Sequence, residues 1–142
     1  MKVCLAGEGA MGTNHMKVLQ GIDGIEVVSV AGGIEADTAE FANKFGIPHF
    51  SLDLEECLDR PGVEAVVLTS PNQIHARHTG MALNAGKHVL MEKPAGVNLE
   101  HLERVHGVDT EHLEFTPNFA TSEVAEAEDL EVIESRRPSA AP

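Results

Sequence analysis

Aromatic side chains are scarce in this sequence, which has five Phe and neither Trp nor Tyr among its 142 residues. A hydrophobic core must therefore be built from aliphatic side chains. Cysteine is also rare, because only Cys4 and Cys57 are present. Two distant cysteines are too few for a disulfide framework or a cysteine-rich zinc site. We interpret both as buried thiols of a protein in the reducing cytoplasm.

The sequence also lacks basic residues and long apolar runs. Only 10 Lys and Arg stand against 23 Asp and Glu, which gives a formal net charge of −13. An acidic surface argues against nucleic acid and anionic membranes as partners, since both require basic patches. No apolar run approaches the ~20 residues of a membrane span, and the first residues form a strand pattern rather than a signal peptide. We therefore expect a cytoplasmic globular protein.

The most informative stretch that is present is a glycine run, G-E-G-A-M-G at residues 7–12. It follows the apolar residues V-C-L-A, which predict a strand over residues 1–6. A helix is predicted over residues 10–20, where apolar spacing is provided by Met11, His15, Val18 and Leu19. A strand, a glycine turn and a helix form the first half of a dinucleotide-binding unit. The alternative is a glycine-rich turn that binds no ligand.

Each glycine of this run has a physical task in the dinucleotide interpretation. Gly7 permits the tight turn, Gly9 allows the backbone to approach a pyrophosphate, and Gly12 lets the helix pack closely. The unpaired N–H groups at the start of the helix favour a phosphate. Glu8 places an unfavourable charge beside that phosphate unless its side chain points to solvent.

Strands and helices alternate along the following eighty residues. The patterns predict strands over 25–31, 63–69 and 88–91, and helices over 36–45, 52–58 and 74–84. Such alternation implies right-handed crossovers and a parallel sheet with helices on both faces. The predicted fold class is α/β, a doubly wound, Rossmann-like parallel sheet.

Three loops with unusual content leave the carboxyl ends of the predicted strands, at residues 7–12, 69–75 and 92–94. Ligands of open parallel sheets bind beyond this edge. Taken alone, Asn72 after Pro71 is also what an ordinary turn contains. His75 and His78 lie three apart on one helix, but no third ligand at fitting spacing accompanies them. We predict no metal site.

Together these loops carry a family resemblance. With T-S-P-N-Q-I-H at 69–75 and E-K-P-A at 92–95 added to the glycine run, residues 1–100 resemble the N-terminal domain of the glucose-fructose oxidoreductase, inositol dehydrogenase and MocA family. The resemblance implies an NAD(P)-dependent oxidoreductase that moves hydride between the nicotinamide and a carbinol carbon of a sugar, cyclitol or related hydroxylated compound. The alternatives are a truncated nucleotide-binding domain without turnover and an interaction module that needs a partner chain.

The resemblance also implies roles for individual residues. Lys93 would hold the reacting hydroxyl or assist its deprotonation, and His75 would help to shape the site, so these two are the catalytic candidates. A cis peptide bond before Pro94 would orient Lys93. The cofactor-binding candidates are Gly7, Gly9, Ala10, Met11, Gly12, Gly32, Ser70, Pro71, Asn72, His75, Glu92, Lys93 and Pro94.

The sequence departs from the dinucleotide pattern at the end of the second strand. An acid usually stands there to bind the adenosine ribose hydroxyls, but this sequence has Gly32 and Gly33. Glu35 is a substitute if the glycine turn brings it back. No adjacent arginine offers a partner for a 2′-phosphate. The cofactor therefore remains NAD or NADP.

The second departure concerns the end of the sequence. The family continues into a second domain built on a largely antiparallel sheet, whereas here a short acidic tail takes its place. We divide the chain into a dinucleotide-binding domain, 1–106, and an acidic segment, 107–142. In the tail, residues 112–119 form another strand or a loop, and residues 120–142 form an acidic amphipathic helix or a disordered segment. Apolar surface left uncovered would favour a homo-oligomer.

Overall fold

The computed structural model describes residues 1–96 and 113–115. The strands in this part are β1 (Lys2–Ala6), β2 (Glu26–Ala31), β3 (Phe50–Ser51), β4 (Val63–Leu68), β5 (His88–Met91) and β6 (Leu113–Phe115). The helices are α1 (Ala10–Leu19), α2 (Glu35–Phe45), α3 (Leu54–Leu58) and α4 (His75–Asn84), with a 3-10 turn at Asn72–Ile74 before α4. The described strands form one six-stranded sheet in the order β3-β2-β1-β4-β5-β6. Every neighbouring pair is parallel.

The sheet is doubly wound, as the alternation of elements predicts. The chain moves outward from β1 to β3, returns across the sheet to β4, and continues in the opposite direction, so the switch point lies between β1 and β4. On one face, Val3 and Leu5 pack with Met16 of α1 and Phe41 of α2. On the other face, Cys4, Ala6 and Val66 pack with Leu54, Leu58 and Leu83 of α3 and α4. Central strands buried on both faces explain why β1 and β4 are almost continuously apolar.

The two cysteines are buried free thiols, in agreement with the interpretation of the sequence. Cys4 and Cys57 both have 0% exposure. A hydrogen bond with Cys57 and burial together raise the pKa of the Cys4 thiol well above its usual range. Both thiols therefore belong to the core.

Helix α1 forms where it is predicted, but two of the residues at apolar spacing do not face the core. Met11 is 43% exposed and Val18 is 63% exposed, whereas Gly12 and Met16 are buried. The close approach of Gly12 to the glycine loop sets the rotation of the helix, and Met16, four residues later, lies on the same side. Apolar spacing alone could not indicate this rotation.

Part of the acidic segment belongs to the sheet. The strand β6 pairs with β5, with Val89 opposite Leu113 and Met91 opposite Phe115. Of the two alternatives for residues 112–119, a strand is thus confirmed over three residues. The prediction for residues 120–142 lies outside the described residues. Among the described helices, none is long and apolar enough to cross a membrane.

Candidate functional site

The glycine loop lies at the switch point, where the backbone itself requires two of its three glycines. Gly7 has a φ of +112°, and a Cβ there would come within 2.6 Å of the Thr69 carbonyl oxygen. A Cβ on Gly12 would lie 1.9 Å from the Gly7 carbonyl oxygen. These glycines therefore serve the turn and the seating of α1, as their positions in the motif predict.

Gly9 differs from the other two because no contact within the described residues requires a glycine at this position. A Cβ at this position would meet no atom within 4 Å, and the backbone is extended, with φ −76° and ψ −164°. Gly9 is the N-cap residue of α1 and makes no side-chain cap, and the first turn of the helix contains no acidic residue. The open space at this N-terminus is suited to a phosphate, because N–H groups and the positive end of the helix dipole meet there.

The loop after β4 is tied to the glycine loop. The Thr69 hydroxyl lies 2.9 Å from the Ala6 carbonyl oxygen and 3.1 Å from that of Gly7. Ser70 follows, 6% exposed, with its Oγ 3.1 Å from Nδ1 of His78. Because the carbonyls of the glycine turn are held by Thr69, the two loops form adjacent walls of one crevice.

The loop after β5 joins the same crevice through three contacts. The Glu92 backbone N–H donates to the Leu68 carbonyl oxygen at 2.9 Å. The Glu92 carboxylate accepts from His15 Nε2 of α1 at 2.6 Å, and Nδ1 of His75 donates to the Pro94 carbonyl oxygen at 2.7 Å. The Lys93–Pro94 peptide bond is cis, as the resemblance suggests. The loop that carries Lys93 is therefore anchored on both sides of that residue.

Glu8 binds the loop after β2 instead of pointing to solvent. Its Oε1 accepts a hydrogen bond from the Gly33 N–H at 2.8 Å, and the Ile34 N–H lies 3.3 Å away. The Thr38 hydroxyl is also 3.3 Å from this oxygen. The carboxylate thus lies at the carboxyl end of β2, where the sequence places only glycines.

The comparison with known families agrees with this geometry. A family model described as "GFO_IDH_MocA: Oxidoreductase family, NAD-binding Rossmann fold" matches residues 1–112. The chain belongs to this family. The resemblance drawn from the three loops is thereby confirmed.

Individual members and solved structures resemble the chain over part of their length. It is 45% identical over 94 residues to 4-carboxy-2-hydroxymuconate-6-semialdehyde dehydrogenase of Sphingobium sp., covering 66% of this chain and 30% of that protein. It is 31% identical over 107 residues to inositol 2-dehydrogenase of Salmonella typhimurium, covering 74% and 32%. Biliverdin reductase of Synechocystis sp. PCC 6803, solved with biliverdin and NADP+, matches with a TM-score of 0.71 and 28% identity, covering 78% and 35%. The chain thus spans about a third of the length of these proteins.

The GFO_IDH_MocA fold brings most of the predicted residues to one edge of the sheet. The predicted residues that lie in or beside the three loops after β1, β4 and β5 are Gly7, Gly9, Ala10, Met11, Gly12, Ser70, Pro71, Asn72, Glu92, Lys93 and Pro94. His75 starts α4 and is 1% exposed, so it reaches this edge through Pro94. Gly32 follows β2, next to the Glu8 carboxylate.

Two residues that sequence reasoning did not assign to the site are His15 and Glu8. The sequence pattern indicates only that His15 lies on a helix, yet the His15 ring binds Glu92, 77 residues away in sequence. Nothing in the local sequence signals that pairing. For Glu8 the signal was present, because a charged residue inside a phosphate loop must have a partner or face solvent.

The histidine pair of α4 is engaged in other contacts. Nδ1 of His75 binds Pro94, and Nδ1 of His78 binds Ser70. Nε2 of His75 is buried without a hydrogen-bond partner among the described residues. Across residues 1–96 and 113–115, no three His, Cys, Asp or Glu side chains converge as metal ligands.

The environment of His78 predicts a dependence of stability on pH. Burial, and then the charge of Arg77 and the neighbouring His75, lower the pKa of His78 to about 4 from 6.5. Between these values the unfolded chain binds a proton that the folded chain does not, so stability is greatest above pH 6.5 and falls toward pH 4. We expect a loss of roughly 1 kcal/mol between about pH 7.5 and about pH 5, because partial exposure reduces the effect. Urea unfolding of the protein at the two pH values measures it.

The matched variant for this prediction is His78→Asn, which keeps a polar group near Ser70 but cannot titrate. The unfolding free energy of the variant should change less between the two pH values than that of the original protein. An equal change in both proteins would contradict the assignment to His78.

Proposed function

We propose that the chain is the dinucleotide-binding part of an NAD(P)-dependent oxidoreductase that acts on the carbinol carbon of a sugar, a cyclitol or a related hydroxylated compound. The observation that carries the proposal is the open space at Gly9, which faces the N-terminus of α1 at the switch point of the sheet. A pyrophosphate fits there, because glycine places no Cβ between the ligand and the N–H groups at the start of the helix. Family membership supports the same cofactor class.

In the proposed reaction, a bound NAD(P) would supply the acceptor for the hydride of the carbinol C–H, and the alcohol would become a carbonyl compound. The residues of the chain position the reactants and move the proton. Lys93 holds the hydroxyl and its amine accepts the hydroxyl proton, directly or through water. His75 is buried and binds the Pro94 carbonyl, so we assign it the role of positioning the Lys93 loop. Ser70, Pro71 and Asn72 would line the nicotinamide side.

A second candidate is a dinucleotide-binding unit without turnover by itself. It is favoured by the fact that the chain spans about a third of the length of related dehydrogenases. A third candidate is an interaction module with a partner chain. The leading proposal includes a location in the cytoplasm and assembly as a homo-oligomer. Both fit a soluble metabolic oxidoreductase.

Calorimetric titration of the purified 142-residue chain with NADH and with NADPH tests the proposal, followed by a turnover screen over polyols. We expect a dissociation constant between roughly micromolar and millimolar for at least one nucleotide. Binding with turnover supports the oxidoreductase, and binding without turnover supports the second candidate. Binding of neither nucleotide would overturn both and leave the interaction module.

A further inference from the structure

Position 32, directly after β2, has no space for an acid. A Cβ on Gly32 would lie 1.9 Å from Oγ1 of Thr38 and 2.6 Å from its methyl carbon. Thr38 is 0% exposed and is held by a hydrogen bond of 2.7 Å from its hydroxyl to the Ile34 carbonyl oxygen. Because Thr38 cannot move aside without breaking this contact and its packing, position 32 excludes every side chain.

A carboxylate nevertheless occupies this end of the strand, and it comes from the glycine loop. Oε1 of Glu8 binds the Gly33 N–H at 2.8 Å, and a Cβ on Gly33 would lie 3.9 Å from the same oxygen. The Glu8 carboxylate therefore stands directly beside positions 32 and 33. Glycine stands where the usual acid would, and the Glu8 carboxylate lies beside it.

The Glu8 carboxylate also has the capacity to bind a ligand. The contacts that it makes within the described residues all go to Oε1, and the residue is only half-buried. Oε2 therefore retains its acceptor capacity at the mouth of the crevice. An ionised carboxylate accepts strong hydrogen bonds from hydroxyl groups and repels phosphate.

The charges around Glu8 favour a neutral partner over an anionic one. From Gly32 to Glu40 the sequence contains no Lys or Arg, while Glu35 and Asp37 add negative charge to the first turn of α2. A 2′-phosphate brought to this place would meet the Glu8 carboxylate and the negatively charged first turn of α2. Discrimination of this kind comes from a repulsive element as well as from an attractive one.

From these observations we propose that Glu8 is the specificity-determining residue for the cofactor: its carboxylate accepts the 2′-hydroxyl of the adenosine ribose and excludes a 2′-phosphate, so that the chain selects NAD(H) over NADP(H). This inference rests on the proposed dinucleotide site. It assigns the ribose contact to a residue of the first loop instead of one at the end of β2.

The competing role for Glu8 is purely structural. The N-cap residue of α2, Ile34, makes no side-chain cap, and Glu8 supplies an acceptor to the N–H groups at that helix start. A cap stabilises the helix but has no effect on the ratio of NADH to NADPH affinity. The ratio is therefore the readout that separates the two roles.

The test is a calorimetric titration of NADH and NADPH into the original chain, Glu8→Gln and Glu35→Gln. Glu8→Gln removes the charge and keeps the shape, and Glu35→Gln makes the same change in the other candidate acid. We expect the original chain to bind NADH at least about tenfold more tightly than NADPH. The preference should fall by about tenfold in Glu8→Gln and persist in Glu35→Gln. Thermal melting without nucleotide measures the loss of the cap separately.

Each outcome bears on the proposal. Equal affinity of the original chain for the two nucleotides, or an unchanged ratio in a folded Glu8→Gln, would overturn the role of Glu8 while leaving the dinucleotide site in place. A lost preference in Glu35→Gln alone would transfer the role to Glu35. Binding of neither nucleotide to the original chain would instead overturn the proposed function itself.

Discussion

Gly9→Val is expected to abolish dinucleotide binding while leaving the chain folded. The backbone at Gly9 is extended, a conformation that a β-branched residue adopts readily. A Cβ at this position meets no atom of the described residues within 4 Å, so the new side chain enters the space assigned to the pyrophosphate. Loss of that contact should weaken binding by at least about a hundredfold, or about 2.7 kcal/mol. Calorimetric titration with the preferred nucleotide measures the affinity, and thermal melting confirms the fold.

Two further glycines provide controls for this variant. Gly80 lies inside α4, and a Cβ there also meets no atom of the described part of the chain within 4 Å. Gly80→Ala should therefore keep the affinity and stabilise the chain by about 0.5–1 kcal/mol. Gly12→Ala should unfold or strongly destabilise the chain, because its Cβ overlaps the Gly7 carbonyl oxygen. If a folded Gly9→Val variant binds the nucleotide as tightly as the original protein, the assignment of a phosphate site to the N-terminus of α1 is wrong.

The elements that the sequence predicts well are those that local pattern determines. β5 is found at the predicted residues, His88–Met91, because a short apolar run between polar turns has few alternatives. The edge of the sheet that carries the site also follows from the pattern, because parallel strands alternating with helices place their carboxyl ends together. The three loops could thus be grouped before any contact was known.

What the sequence could not provide are contacts between residues far apart in the chain. The His15–Glu92 pair joins residues 77 positions apart, and its formation depends on how α1 lies across the sheet. That orientation is set by the fit of Gly12 against Gly7, which apolar spacing does not describe. The direction of the Glu8 side chain depends in the same way on the N–H groups of the loop after β2. Such choices are made by tertiary packing and not by local propensity.

A cavity far from the three loops shows that the topology of the sheet, and not the volume of a cavity, locates the site. A cavity of about 530 Å³ lined by Lys2, Ile25, Glu26 and Glu64 lies at the amino edge of β1, β2 and β4. This edge is opposite to the one that receives ligands in open parallel sheets. The three-loop crevice brings together the glycine loop, the anchored Lys93 loop and the N-terminus of α1.

Lys93→Ala is expected to remove turnover while leaving cofactor affinity nearly unchanged. Lys93 is half-buried between Glu92, which His15 and the Leu68 carbonyl hold in place, and Pro94, which His75 holds. These three hydrogen bonds are made by groups other than the Lys93 side chain, so they remain available to hold the loop in the variant. Loss of the group that holds the hydroxyl and accepts its proton should reduce kcat by about a hundredfold or more, whereas the nucleotide dissociation constant should change by less than about threefold.

Lys17→Ala is the matched control, because it removes the same charge from an exposed lysine at the far end of α1 and should leave both quantities unchanged. Lys93→Arg adds a second test: it retains a cation for the hydroxyl but cannot accept a proton at ordinary pH. We therefore expect cofactor affinity close to that of the original protein and turnover as low as in Lys93→Ala. A large loss of nucleotide affinity in Lys93→Ala would instead place this amine at the cofactor. Full turnover in Lys93→Arg would show that its charge, and not proton transfer, is what the reaction uses.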